Sequence, residues 1–377
     1  MKKSEKNIWF LGFSSFFNDI GSEMITPLLP FLITGFGGGG IAIGALSGIR
    51  EGLSSIFKLL GGWYSDKLGK RKPFVFLGYF LSTIFRFFLA FANSWQYVLG
   101  FTSLERVGKS RDAPRDAIIS QSTKQRGRGF GIQQMLDTSG AILGSIIVLL
   151  LLWKIGLGFK TIILIAGGIS IFSLAPLFFV KEPKTKKQKK SIFKGVSSLN
   201  NKLKYFIFVM GIFTLVNFGL YMFLLLRVRD ITGSMITAIA LGLLFNFIWA
   251  IFSIPFGTLS DRIGRKKVLM AGYVLFFLVT LGFVYLVNLT SLIFLFVLYG
   301  LVWAIVQTIP RAYISDLADS MKGTAFGFYQ FVIGIVSLIG GIIAGVLWNI
   351  SPTTMFTYMA VGGLISIVFL LFVKDGF

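Results

Sequence analysis

Gly62-Trp63-Tyr64-Ser65-Asp66-Lys67-Leu68-Gly69-Lys70-Arg71-Lys72 has an echo in Gly257-Thr258-Leu259-Ser260-Asp261-Arg262-Ile263-Gly264-Arg265-Lys266-Lys267. The two stretches stand 195 residues apart (261 minus 66), about half of the 377-residue chain. Each follows a long apolar segment and precedes another. A repeat at that distance means an internal duplication with a tight basic hairpin at the same place in both halves. Two further landmarks agree. Ala113-Pro114-Arg115 matches Ile309-Pro310-Arg311, and Phe130-Gly131 matches Phe326-Gly327, both at a shift of 196.

Composition says where such halves reside. Hydrophobic residues make up 55% of the chain and charged ones 14%, with a mean hydropathy of +0.80. Runs of about 20 apolar residues, each able to cross about 30 Å of hydrocarbon, recur to the C-terminus. The expectation is an all-α integral membrane protein. It has twelve transmembrane helices, at 8–34, 41–61, 73–93, 95–119, 129–152, 160–180, 205–229, 235–258, 268–287, 290–314, 325–347 and 353–373. They form two pseudo-symmetric six-helix bundles, residues 1–180 and 205–377, joined by a basic linker, 181–204.

The net charge of +22 could suggest a nucleic-acid partner. That reading fails because 27 of the 37 Lys and Arg sit in short loops on one side. Such loops face the cytoplasm, so the chain is expected in the cytoplasmic (inner) membrane with both termini inside. Its neighbour is the lipid bilayer, and nothing demands more than a monomer. The absence of Cys and His removes disulfides, thiolate chemistry, and zinc or haem sites. No metal or cofactor is expected. No nucleophile–base pair is present, so the chain does not read as an enzyme. Any proton carrier inside the membrane must be a carboxylate.

The twin pattern G-x-x-x-D-[KR]-x-G-[KR]-[KR] resembles the loops after the second and eighth helices of major facilitator superfamily transporters. The resemblance covers the whole chain. It implies a gating role for Gly62, Asp66, Gly69, Lys70 and Arg71, and for Gly257, Asp261, Gly264, Arg265 and Lys266. In the family these glycines allow close helix packing, and the bases pair with acids at neighbouring helix ends. Asp112 and Asp116 are the acids it suggests for Lys70 or Arg71. Phe17-Asn18-Asp19-Ile20-Gly21-Ser22-Glu23 and Gly108-Lys109-Ser110-Arg111-Asp112-Ala113-Pro114 look like a prokaryotic branch of that superfamily. The fifth helix has Gly140 and Gly144 but not the Gly-Pro pair of drug antiporters. The sugar-porter signature after the sixth helix is also missing. Both features weigh against multidrug export and sugar uptake.

Ionisable residues within the helices are concentrated in the first half. The acids are Asp19, Glu23, Glu51, Glu105, Asp112 and Asp137; the bases are Arg50, Lys58, Arg86, Arg106, Lys109 and Arg111. A charge at the bilayer centre costs about 2.5–3.5 kcal/mol on insertion scales. Such residues therefore imply a paired network or a wet cavity. Asn18, Asp19 and Glu23 share one face of the first helix, and Arg50 and Glu51 lie on the second. Two carboxylates one turn apart resist joint ionisation, so one of Asp19 and Glu23 can hold a proton near neutrality unless Arg50 or Arg106 neutralises it. Asp19 and Glu23 are read as coupling carboxylates, with Asn18, Arg50, Glu51, Glu105, Arg106 and Asp137 around them. The second half offers Asn217, Tyr221, Asn246, Trp249, Trp303, Gln307 and Gln330 as a polar-aromatic path for a small-molecule substrate. The function expected is secondary active transport by alternating access, proton-coupled, with export by antiport favoured. The alternatives are a passive facilitator of the same fold and a channel.

Overall fold

A computed structural model describes residues 6–123, 126–182, 199–217, 219–286, 288–317 and 322–373. The Asp66 side chain and most of the basic linker, 183–198, lie outside the described residues. Among those described there are helices and no strands. Twelve segments account for them. In α1, Lys6–Ile25 passes through a tight turn, Thr26–Leu28, into Leu29–Gly35. Then come α2 (Gly40–Leu68), α3 (Lys72–Leu89) and α4, which joins Trp95–Val107 to Asp112–Ser122 through Gly108–Arg111. The first half closes with α5 (Arg126–Leu150, extended by a wide turn Leu151–Ile155) and α6 (Phe159–Ile171 and Ala175–Phe179). The second half has α7 (Asn201–Asn217 and Leu220–Thr232), α8 (Met235–Ile263), α9 (Arg265–Tyr285), α10 (Leu289–Leu317), α11 (Lys322–Ile350) and α12 (Pro352–Leu371).

Local chemistry explains the breaks. Pro27 and Pro30 remove backbone donors from α1 where it tightens. Gly219 interrupts α7 with φ +83°. Ser94, Ser234 and Ser351 cap α4, α8 and α12, each side chain accepting from a backbone N–H three residues on. The basic repeats are tighter than the hairpins expected of them. Gly62–Leu68 is still helix, and only Gly69, Lys70 and Arg71 separate α2 from α3. Gly264 alone separates α8 from α9, with φ +103°. A left-handed glycine ends a helix in one residue, so little loop is needed.

Nine described segments are long and apolar enough to cross a membrane. The three that are not among them are α1, α2 and α4, which carry most of the ionisable residues.

The helices cluster into two compact units, Met1–Gly38 with Leu53–Lys190, and Gly39–Gly52 with Ser191–Phe377. Each is held by close helix contacts, and these contacts repeat. In unit one a Cβ on Gly62 would sit 3.1 Å from Ala113, and in unit two one on Gly257 would sit 3.5 Å from Thr308. Both members of the second pair lie 195 residues beyond the first. Gly78 meets Arg111 as Gly272 meets Ile305, each at 2.5 Å, with a shift of 194. Gly144 packs on the Ile20 carbonyl and Gly340 on that of Leu215. The duplication read from the sequence therefore extends to the helix-packing contacts.

Candidate functional site

The charged residues of unit one assemble around α4. Arg86, on α3, is 2% exposed. One of its terminal nitrogens donates to the Asn18 carbonyl of α1 at 2.9 Å and to Ser170 Oγ of α6 at 2.7 Å. The other donates to Glu105 Oε1 at 3.1 Å. Arg106 Nε lies 3.0 Å from Glu105 Oε2, so one carboxylate sits between two guanidiniums. Near the basic end of α4, Asp112 lies within 4.0 Å of Lys58, Lys109, Arg111 and Arg115. Arg111 is fully buried and stacks over the Tyr79 ring, 4.2 Å from its centre. Tyr79 shares a hydrogen with Ser15 Oγ at 2.7 Å, and Arg115 donates to the same oxygen at 2.8 Å.

Asp19 and Asp137 are placed differently. Asp19 accepts from the Asn18 side-chain amide at 3.0 Å. Asp137 accepts from Gln133 at 2.7 Å. Neither makes an ion pair among the described residues. Both lie within electrostatic reach of each other and of Lys109, and Asp19 also of Arg86. A carboxylate held by an amide can lose or gain a proton without breaking an ion pair. One held by two guanidiniums cannot.

Glu23, like Asp19, is half-buried on α1. Arg50 and Glu51 stand on the Gly39–Gly52 stretch of α2, which clusters with unit two. Within unit two, Tyr221, Trp249 and Trp303 come together around Phe245, with ring centres 5.3, 6.3 and 5.8 Å from it. Tyr299 joins them at 5.2 Å, and its hydroxyl donates to Asn217 Oδ1 at 3.1 Å. Asn246, Gln307 and Gln330 are half-buried outside this group of contacts.

The hairpin bases have defined partners. Arg265 reaches Asp261, Ser260 Oγ at 2.7 Å and Asp316 at 3.1 Å. Lys266 donates to the Leu371 and Val373 carbonyls at the end of α12. Lys72 does the same to Phe178 at the end of α6, at 3.0 Å. A cation on the last turn of each half's final helix fits the helix dipole. Arg71 donates to the Ala117 carbonyl at 3.3 Å, and Lys70 is exposed. Asp116 pairs with Arg115 at 3.0 Å. Both carboxylate oxygens of Glu182 cap α3, each accepting at 2.8 Å, from Arg71 N and Lys72 N.

Tyr79, Arg115, Phe245 and Tyr299 were not among the site residues read from the sequence, and Arg86 and Arg111 were named there only as bases within the helices. The rings could not be picked out, because nothing in a sequence of 42 phenylalanines separates packed from lining ones. Arg86→Met is expected to cost about 3–5 kcal/mol, because it removes one of the two guanidiniums on the buried Glu105 together with the bonds to Asn18 and Ser170. Thermal unfolding in detergent checks this. Adding Glu105→Gln should restore part of the loss.

The Major Facilitator Superfamily profile matches residues 11–318 and 206–376. The chain belongs to the major facilitator superfamily. It is 47% identical over 382 residues to an uncharacterised MFS-type transporter of Methanocaldococcus jannaschii, covering 99% of this chain and 96% of that one. It is 22% identical to the multidrug resistance protein MdtH of Baumannia cicadellinicola, covering 85% of this chain and 79% of that protein. A mutant form of the nucleoside transporter NupG shares the fold with a TM-score of 0.83 at 15% identity, covering 98% of this chain and all of that one. A bacterial homologue of the human lysosomal transporter Spinster gives 0.75, also at 15% identity, over 99% and 96% of the two chains. This major facilitator protein is therefore a multi-pass membrane transporter for small molecules.

Proposed function

We propose that this transporter is secondary-active and proton-coupled, with Asp19 as the group that takes up and releases the proton. The observation that supports this reading is the contrast within unit one. Glu105 and Asp112 are held by cations at 3.0–4.0 Å, whereas Asp19 makes no ion pair among the described residues and accepts from a neutral amide. Alternating access exposes the same group to each side in turn, and a carboxylate that can change its charge then links solute movement to the proton gradient. Whether proton and solute travel together or in exchange depends on the solute's charge. A cation competes with the proton for Asp19, and an anion does not. Inner-membrane placement, internal termini and a monomeric working unit complete the reading.

The test uses the full chain in proteoliposomes with an imposed pH gradient. A panel of labelled organic acids, nucleosides, sugars and quaternary amines is screened for uptake against a concentration gradient. At least one solute should accumulate only while the gradient lasts. Accumulation of none, or downhill flux indifferent to pH, would leave a passive facilitator. A second reading, export of organic cations by exchange for protons, is favoured by relatives that are themselves named multidrug resistance proteins. It predicts efflux of ethidium driven by the same gradient.

A further inference from the structure

We propose that Arg106 is the anchor of a carboxylate-binding site, so that the solute is a small organic anion. The proposal rests on the transport reading above and names the charge of the cargo. Arg106 is 8% exposed and stands midway along α4. Its Nε is buried and forms an ion pair with Glu105 at 3.0 Å, without a hydrogen bond. Its two terminal nitrogens make no hydrogen bond among the described residues either. By contrast, Glu105 Oε1 is already met by Arg86. A guanidinium in an apolar interior normally spends its planar fork on a carboxylate or on carbonyls. In this one the Nε is buried against Glu105, while the two terminal nitrogens keep some accessible surface.

Two further polar groups of unit one support a site here. Thr102 lies one turn before Arg106 on the same face of α4. It is 3% exposed, and its hydroxyl is buried without a partner. Asn18, 1% exposed on α1, has its backbone carbonyl tied to Arg86, and its side-chain oxygen Oδ1 is likewise buried and unmatched. An anion seated on the Arg106 fork would accept from Thr102. A hydroxyl or amine beside its carboxylate would satisfy Asn18. Polar groups buried without partners cost about 1–3 kcal/mol each, so a ligand that satisfies them binds with that much to gain.

The charge count points the same way. Arg86 and Arg106 surround one carboxylate, leaving an excess of one positive charge. Asp19 is faced by Arg86 from α3, by Lys109 from α4 and by Asp137 from α5. When Asp19 carries a proton, the excess stands uncancelled. Protonation and anion binding then favour each other, and the two travel in the same direction.

The experiment measures thermal stabilisation of the purified full-length protein by lactate, succinate or benzoate, against chloride at matched ionic strength, with choline and glucose as controls. At least one carboxylate should raise the melting temperature, and neither control should. Arg106→Gln should weaken that binding about tenfold or more, the loss expected for a hydrogen bond to a charged group. Glu105 keeps Arg86 in this variant, so no buried carboxylate is stranded. Should Arg106→Gln still fail to fold, Thr102→Val decides, because it keeps the shape and removes only the hydroxyl. Stabilisation by choline alone, by no carboxylate, or equally in both variants and wild type would overturn the proposal. In those cases uptake of any other solute driven by the pH gradient would still leave the transport reading intact. Absence of all gradient-driven uptake would remove that reading itself.

Discussion

Asp19→Asn is expected to abolish accumulation driven by a pH gradient while leaving solute exchange between equal pools intact. The substitution keeps the size of the side chain and removes its charge. It therefore imitates the protonated state permanently. The Asn18 amide donates to Asp19 now, and it can donate to the oxygen of an asparagine equally well. No ion pair is broken, so the fold should survive with a change of less than about 1 kcal/mol. The coupling should not survive, because the site no longer differs in charge between its loaded and empty forms. The expected result is a fall to background in gradient-driven uptake by proteoliposomes, with counterflow kept near the wild-type rate. Glu105→Gln should behave differently. It leaves Arg86 and Arg106 facing each other inside unit one, and both stability and exchange should drop together. If Asp19→Asn still concentrates solute under a pH gradient, the proton is carried elsewhere, and Asp137 is the next carboxylate to test.

Much of the fold could be read from the chain because the governing signals are local. Apolar length sets the spans, basic loops set one side, and a repeated glycine pattern marks the turns. What misled the reading was the reach of a single glycine. Gly69 and Gly264 reverse the chain in so few residues that stretches taken as loop remain helix. The site was legible only as a set of members. The sequence put Asp19, Glu105 and Arg106 among the ionisable groups inside helices, yet partners depend on helix rotation and neighbours. Arg86 sits 19 positions from Glu105 and 68 from Asn18, and it joins them only because α3 packs on α4 and its side chain reaches α1. Likewise, the split of α2 at Gly52, with one part in each unit, has no counterpart in any local pattern.

The duplication also shows what the halves no longer share. At the shifts of 194 to 196 that the repeats show, Glu105, Arg106, Arg111 and Asp112 meet only uncharged residues, between Tyr299 and Thr308. The contacts that build the bundles are kept, whereas the charges are not. Packing was therefore retained in both copies while ionisable chemistry was concentrated in one. On the proton-coupled reading proposed above, the proton is carried within unit one, where these charges lie.

Gly44→Leu is expected to have the largest effect on stability of any single substitution in α2. Within unit two the backbones of α2 and α11 run against each other over three turns. A Cβ on Gly40 would meet the Gly345 carbonyl at 2.5 Å, and one on Gly48 the Leu338 Cα at 2.6 Å. At Gly44 between them, an added Cβ would collide with the Gly341 carbonyl, and one on Gly341 would collide with that of Gly44. The obstacles are backbone atoms on both sides, so no side chain can rotate out of the way. Membrane helices gain their association from such close contact, because lipid offers no hydrophobic drive between them. Asn349 Oδ1 fixes the end of the contact by accepting from Gly40 N at 2.6 Å. Overpacking a core costs about 1–3 kcal/mol where side chains can adjust. Here, where they cannot, Gly44→Leu should exceed that range and Gly44→Ala should fall within it, both read as lowered melting temperatures in detergent. Gly168→Ala on α6 supplies the opposite sign. Nothing lies within 4 Å of its added methyl, so the helix should gain about 0.5–1 kcal/mol from reduced chain freedom alone. Equal melting of Gly44→Leu and wild type would mean that α2 does not rest on α11 through its glycines.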